Sequence, residues 1–211
     1  MSLTTMWTHG NSLRVEDPGE YQTIRHRGYA VELTFARPRE NEDPDQMSPR
    51  YTHVPIPTPA WVDGSAPWLT NVYVLYQTKG FVTLNQIYVY DANNFITNFS
   101  SDPTDLKTSK RPPATDPRGG LIGYGDHLTL GPANKFLLPE PYVVSTGIGV
   151  TLSCIPNVIL PTGNATDSDP WMLYVAAVGA EFVYPHSILS FYSGFTETLR
   201  VPTQVKRVGT K

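Results

Sequence analysis

Apolar and polar residues alternate along this chain in short runs, and the period is two rather than three or four. The clearest run is Ile148-Gly149-Val150-Thr151-Leu152-Ser153-Cys154, where Ile148, Val150, Leu152 and Cys154 share one face and small polar residues take the other. That is the pattern of a half-buried strand, and it makes Cys154 a small core hydrophobe rather than a reactive thiol. Comparable runs at residues 12–15, 29–35, 72–77, 81–84, 87–90 and 135–138 predict further strands. So do 142–155, 172–183, 188–192 and 198–201. Each is bounded by Gly, Pro, Asn or Asp, the residues that end strands and turn chains. The runs 72–77 and 81–90 read as a hairpin closed by Thr78-Lys79-Gly80. Within 171–184, Gly179 reads as a bulge or a point of close approach. Ala176, Ala177 and Ala180 leave an amphipathic helix over 173–182 as the competing assignment.

Three segments interrupt this pattern: a polar, acidic stretch at 37–50, a second at 102–120 rich in Pro, Lys, Arg and Asp, and a shorter one at 161–170. All lie between strand candidates, so they are loops on one scaffold rather than linkers between domains. Many short strands with long insertions predict an all-β chain, an antiparallel β-sandwich of jelly-roll type. The expected organisation is one sandwich domain over residues 1–184 and an extension over 185–211. The strand-like segments of that extension pack on the same sandwich or on a neighbouring subunit.

Composition narrows the function classes. The chain has 211 residues and a formal charge of −3, long enough for a core without disulfides, and it has a single cysteine. A nucleic-acid binder presents a basic face; here Arg25, Arg27, Lys107, Lys110, Arg111, Arg200, Lys206 and Arg207 form only loose groups. No apolar run reaches membrane-spanning length and the first residues do not read as a signal peptide. The expected location is cytoplasmic, or outside the cell by a route without a leader. Asn98-Phe99-Ser100 and Asn164-Ala165-Thr166 match the glycosylation acceptor pattern, read as chance in that setting.

Several segments resemble a known family. Met6-Trp7-Thr8-His9-Gly10-Asn11-Ser12 is followed by Val15-Glu16, then by His53-Val54-Pro55-Ile56-Pro57-Thr58-Pro59 with Asp63-Gly64 behind it. Val89-Tyr90-Asp91, Gly125-Asp126-His127-Leu128 and Gly147-Ile148-Gly149-Val150 follow in matching order. The chain is similar, over about residues 6–184, to an uncharacterised bacterial family of small β-rich domains. The resemblance implies a β-sandwich and transfers no catalytic residue. The insertion at 102–120 and the tail after Tyr184 depart from it.

Candidate chemistry is sparse. His9, His53 and His127, with Asp63 and Asp126, are the residue types that bind zinc, iron or manganese. No two of the histidines stand at the local spacing that prearranges ligands, so tertiary structure would have to gather them. No Gly-x-Ser-x-Gly elbow is present, and Arg118-Gly119-Gly120-Leu121-Ile122-Gly123-Tyr124-Gly125 lacks the lysine of a phosphate loop. Trp61, Trp68 and Trp171 flank loops that carry Asp63 and Asp169, a composition suited to stacking on sugars. Alternating prolines in 53–59 predict an extended, donor-poor strand at a sheet edge. The leading expectation is a non-catalytic structural or binding module without a cofactor, self-associating as a homo-oligomer through edge strands or the extension. The alternatives are a lectin-like carbohydrate-binding domain and a divalent-metal enzyme built on His9, His53 and His127.

Overall fold

The computed structural model describes residues 3–36, 48–61, 65–80, 82–100, 122–123, 125–156 and 171–184. Twelve strands run through them: β1 Leu3–His9, β2 Arg14–Val15, β3 Tyr21–His26, β4 Val31–Phe35, β5 Arg50–Ile56 and β6 Trp68–Lys79. They continue as β7 Val82–Asp91, β8 Asn94–Ser100, β9 Asp126–His127, β10 Lys135–Val143, β11 Ile148–Pro156 and β12 Met172–Val183. Helical structure among the described residues is limited to single 3-10 turns, such as Gly10–Ser12.

All pairings are antiparallel and divide the strands into two sheets packed against each other. The seven-stranded sheet runs β10-β6-β12-β4-β3, with β1 also on β12 and β9 on β6. The five-stranded sheet runs β2-β5-β11-β7-β8. The chain is therefore an antiparallel β-sandwich, as the alternation predicts. Leu33, Phe35, Val72, Val74, Phe136, Leu173 and Phe182 of the first sheet meet Val54, Leu84, Ile87, Val89, Phe99 and Leu152 of the second in one buried core. Side chains of two inner faces removed from water in this way supply the main drive to fold.

The run 148–154 forms the central strand of the five-stranded sheet, and Cys154 is buried in the core. Burial pushes its thiol pKa well above the ordinary range. The stretch 172–183 is strand throughout, which settles the helix alternative. Gly179 is a close approach rather than a bulge. A β-carbon there would stand 2.7 Å from the Trp7 ring, and the register shifts of β12 fall on either side of it.

The hairpin expected across Thr78-Lys79-Gly80 does not form. β6 pairs with β12, β10 and β9, whereas β7 pairs with β11 and β8, so the turn carries the chain from one sheet to the other. Gly80, at φ 64°, supplies the left-handed residue such a turn needs. Both flanking strands carry buried apolar rows, and facing them across the core buries both. Runs 81–84 and 87–90 are one strand, β7, joined through a bulge at Asn85 opposite Ser153 and Cys154. Run 142–155 is instead two strands, with residues 144–147 turning from β10 to β11. The predicted strands 188–192 and 198–201, and most of the loops 37–50, 102–120 and 161–170, lie outside the described residues.

Candidate functional site

The outer face of the five-stranded sheet is built by alternation along its strands, reset in β7 by the bulge at Asn85. In β7, Leu84, Ile87 and Val89 turn inward, which leaves Gln86, Tyr88 and Tyr90 outward. Across the sheet, register aligns Arg14, His53, Thr151, Tyr88 and Asn98 in one row. The next row holds Pro55, Gly149, Tyr90 and Phe95. Tyr51 stands on the other side of the first row, its ring 6.5 Å from Tyr88. Tyr88 lies 6.5 Å from Tyr90, and Tyr90 meets Phe95 edge-on at 5.8 Å. Four aromatic rings thus follow one another over the sheet.

Beside them opens a cleft of about 690 Å³ lined by Arg14, Glu16, His53, Tyr88, Tyr90 and Thr151, with Gly149 between Pro55 and Tyr90. A β-carbon on Gly149 would meet nothing within 4 Å, so the missing side chain leaves open space rather than relieving a clash. The His53 Nδ1 is 2.9 Å from the Thr151 hydroxyl, and its Nε2 is 3.8 Å from Glu16. Burial, then the neighbouring Tyr51 and Tyr90 phenols, raise the Tyr88 pKa, so the hydroxyl stays protonated and donates to the Gln86 carbonyl oxygen.

The end of the cleft is pinned by Asp91. Its buried carboxylate accepts from the Ser145 amide (2.7 Å) and hydroxyl (2.7 Å), the Thr146 amide (2.9 Å) and the Gly147 amide (2.8 Å). Burial by itself raises the Asp91 pKa, but these bonds to the charged form outweigh it and hold the pKa below the usual carboxylate range. The Ala92 amide donates back to the Gly147 carbonyl at 2.9 Å. The β7–β8 turn and the strand that carries Gly149 are thereby locked together.

Only part of the predicted site set arrives here. His53 lies in the cleft. His9 ends β1 on the other sheet, and its Nδ1 accepts from the Asn11 amide at 3.1 Å, capping the turn beside Gly10. His127, on β9, packs against Tyr76 with ring centres 4.8 Å apart. Asp126 of β9 accepts from the Gln77 amide group at 2.9 Å. The three histidines are not gathered, and among the described residues no group of three or more His, Cys, Asp or Glu stands placed to hold a metal.

Trp61 is exposed beyond β5, Trp68 begins β6 in the seven-stranded sheet, and Trp171 is buried in the core. None of the three is among the residues lining the cleft, and Asp63 and Asp169 lie outside the described residues. Arg25 and Arg27 are engaged by Glu32, at 3.5 and 2.6 Å. Sequence reasoning singled out loop tryptophans and not Tyr51, Tyr88, Tyr90 and Phe95, which stand together on this face. A signal was present in Gln86-Ile87-Tyr88-Val89-Tyr90, where large aromatics occupy the positions alternate to the core.

Three of the segments that carry the family resemblance are neighbouring strands at this cleft: 53–59, 89–91 and 147–150. The opening segment joins them through the Thr8 hydroxyl, which donates to the Pro55 carbonyl at 2.7 Å. No curated protein and no solved structure matches the chain. A family match covers residues 1–132, which takes in β1 to β9 and stops before β10, β11 and β12. The segment 147–150 and the reach to residue 184 fall beyond that match. Since it spans more than half of the sequence, the chain belongs to the family of unknown function DUF6623.

Proposed function

We propose that this protein is a non-catalytic binding module that holds a carbohydrate on the outer face of its five-stranded sheet. The observation that carries this reading is the cleft in which Tyr88 and Tyr90 stand beside the open space over Gly149, with Arg14, His53 and Thr151 in the adjoining row. A pyranose has two apolar faces of C–H groups and a rim of hydroxyls. It needs a ring to stack on and fixed donors and acceptors around it. The aromatic row supplies the first, and the guanidinium, imidazole and hydroxyl supply the second.

The cleft also argues for binding without turnover. Glycoside hydrolysis takes two carboxylates on either side of the bond, roughly 5–10 Å apart. The described residues lining the cleft supply one, Glu16. The loop-tryptophan version of a lectin-like site finds no support in the placement of Trp171, whereas the tyrosine face keeps the ligand class and moves it to a strand surface. The experiment is a glycan array on the full chain, followed by calorimetry on the best saccharide. Tyr90→Ala removes a stacking face and is expected to weaken binding by about 1–2 kcal/mol. Binding that is unchanged in Tyr88→Ala and Tyr90→Ala would remove this face as the site.

A further inference from the structure

On the opposite side of the molecule, the outer face of the seven-stranded sheet carries large apolar side chains where a solvated face would carry polar ones. Leu3, Val183, Trp68 and Val143 align in one row across β1, β12, β6 and β10. The next row is Thr5, Glu181, Asn71 and Leu137, and the one after it Trp7, Gly179, Tyr73 and Lys135. Leu3 is 54% exposed, Val143 46%, Leu137 45% and Trp7 38%. The exposed ones stand on the outer strands β1 and β10, with the buried Val183, Tyr73, Glu181 and Asn71 between them. Large apolar groups left open on both sides of one sheet face mark a covered surface rather than a free one.

The middle of the patch is polar, buried and incompletely satisfied. Glu181 accepts from the Tyr73 hydroxyl at 2.6 Å and from the Asn71 side-chain amide, with Lys135 Nζ 3.7 Å away. Asn71 is 97% buried, and its Oδ1 has no hydrogen-bond partner among the described residues. A buried acceptor left empty costs free energy unless a donor arrives. A covering segment that brings a donor to Asn71 would remove this cost.

We infer that the 27 residues after Tyr184, numbers 185–211, cover this face of their own molecule. The described chain leaves the sandwich at the end of β12, and Val183 sits inside the apolar row, between Leu3 and Trp68. Four strands span roughly 15–20 Å, which about six extended residues cross. The run Ile188-Leu189-Ser190-Phe191-Tyr192 supplies the apolar side chains and backbone N–H donors for such a crossing. Charge agrees: the segment carries Arg200, Lys206, Arg207 and Lys211 against one acid, Glu197, in a chain whose total is −3. Within the three rows Glu181 and Lys135 cancel, so the attraction is to the net negative remainder of the chain rather than to the patch.

The test compares the full chain with a chain ending at Tyr184, using an anilinonaphthalenesulfonate dye and light scattering. The truncated chain is expected to bind the dye several-fold more strongly, and a synthetic 185–211 peptide to reverse the gain. In the full chain, Leu137→Glu with Val143→Glu is expected to speed tryptic cleavage at Arg200, Lys206 and Arg207 about tenfold, because a detached segment opens to the protease. That second measurement decides the matter alone if the truncated chain does not fold. Equal dye binding with unchanged cleavage overturns the inference. A full chain that is dimeric and becomes monomeric on truncation overturns the same-molecule seat and gives the face to a second copy. Glycan binding on the other sheet is expected to survive both changes.

Discussion

Asp91 shows how much a single side chain can organise here. It is buried at the end of β7 and ties three consecutive amides and one hydroxyl of the 145–147 turn to the cleft. Its folded pKa is lower than the unfolded one. The stability it contributes is therefore complete above the unfolded value of about 4 and is lost as pH falls through the folded value. Asp91→Asn is expected to cost about 2–4 kcal/mol at pH 7, since donors made for a charged acceptor are left poorly paired. The cost is expected to shrink as pH falls below about 4, by at most about 1.4 kcal/mol per pH unit, and urea titrations at pH 7 and pH 3 measure the difference. An equal cost at both would mean that the charge contributes nothing. The glycines divide in a similarly informative way. A β-carbon at Gly10 would overlap the Val175 carbonyl oxygen, a backbone atom in the wall of the core, whereas one at Gly149 meets open space. Gly10→Ala is expected to destabilise by about 3 kcal/mol or more. Gly149→Val is expected to leave the melting temperature unchanged or raised, because a β-branched residue suits a strand, while it sets a side chain into the open space beside Tyr90 and weakens saccharide binding. Thermal melts and titrations of the two variants separate a packing glycine from a site glycine.

At the scale of elements, legibility followed burial. Strands with one row in the core, such as β11 and β12, announce themselves by alternation, and their placement agrees with the sequence. β1, β3 and β8 were missed because each is an edge or near-edge strand that mixes polar residues into its buried positions, such as Thr8 in β1 and Thr97 in β8, so no clean apolar row marks it. The pairing of β6 with β7 was misread for a physical reason. A short turn between two apolar strands fits a hairpin and a crossing between sheets equally well, and only the rest of the sheet decides. Of the alternating prolines of 53–59, Pro55 lies in β5, which has β11 on one side and only the two residues of β2 on the other. The cleft was half legible. His53 was singled out for metal chemistry and stands in the cleft beside Thr151. The tyrosine row becomes visible only once register places β5, β11 and β7 side by side.

At the scale of the molecule, both sheets depend on strands late in the chain. β12 joins β1, β4 and β6, and β11 joins β5 and β7. The family match ends at residue 132, before either strand begins. A fragment of residues 1–132 retains apolar rows with no partner to cover them. It is expected to show no cooperative unfolding transition, whereas the full chain is expected to show one. Circular dichroism melts compare the two, and a cooperative transition in the fragment would mean that the sheets close without their central strands.

The central claim is that the tyrosine-lined face of the five-stranded sheet binds saccharide. Its most direct test is a glycan array probed in parallel with the wild-type chain, Tyr90→Ala and Gly149→Val, each first shown to be folded. The account predicts a saccharide class bound by the wild type and bound more weakly by both variants, one through the missing ring and the other through a side chain set into the cleft. A saccharide bound equally by all three, or none bound by the wild type, would contradict it.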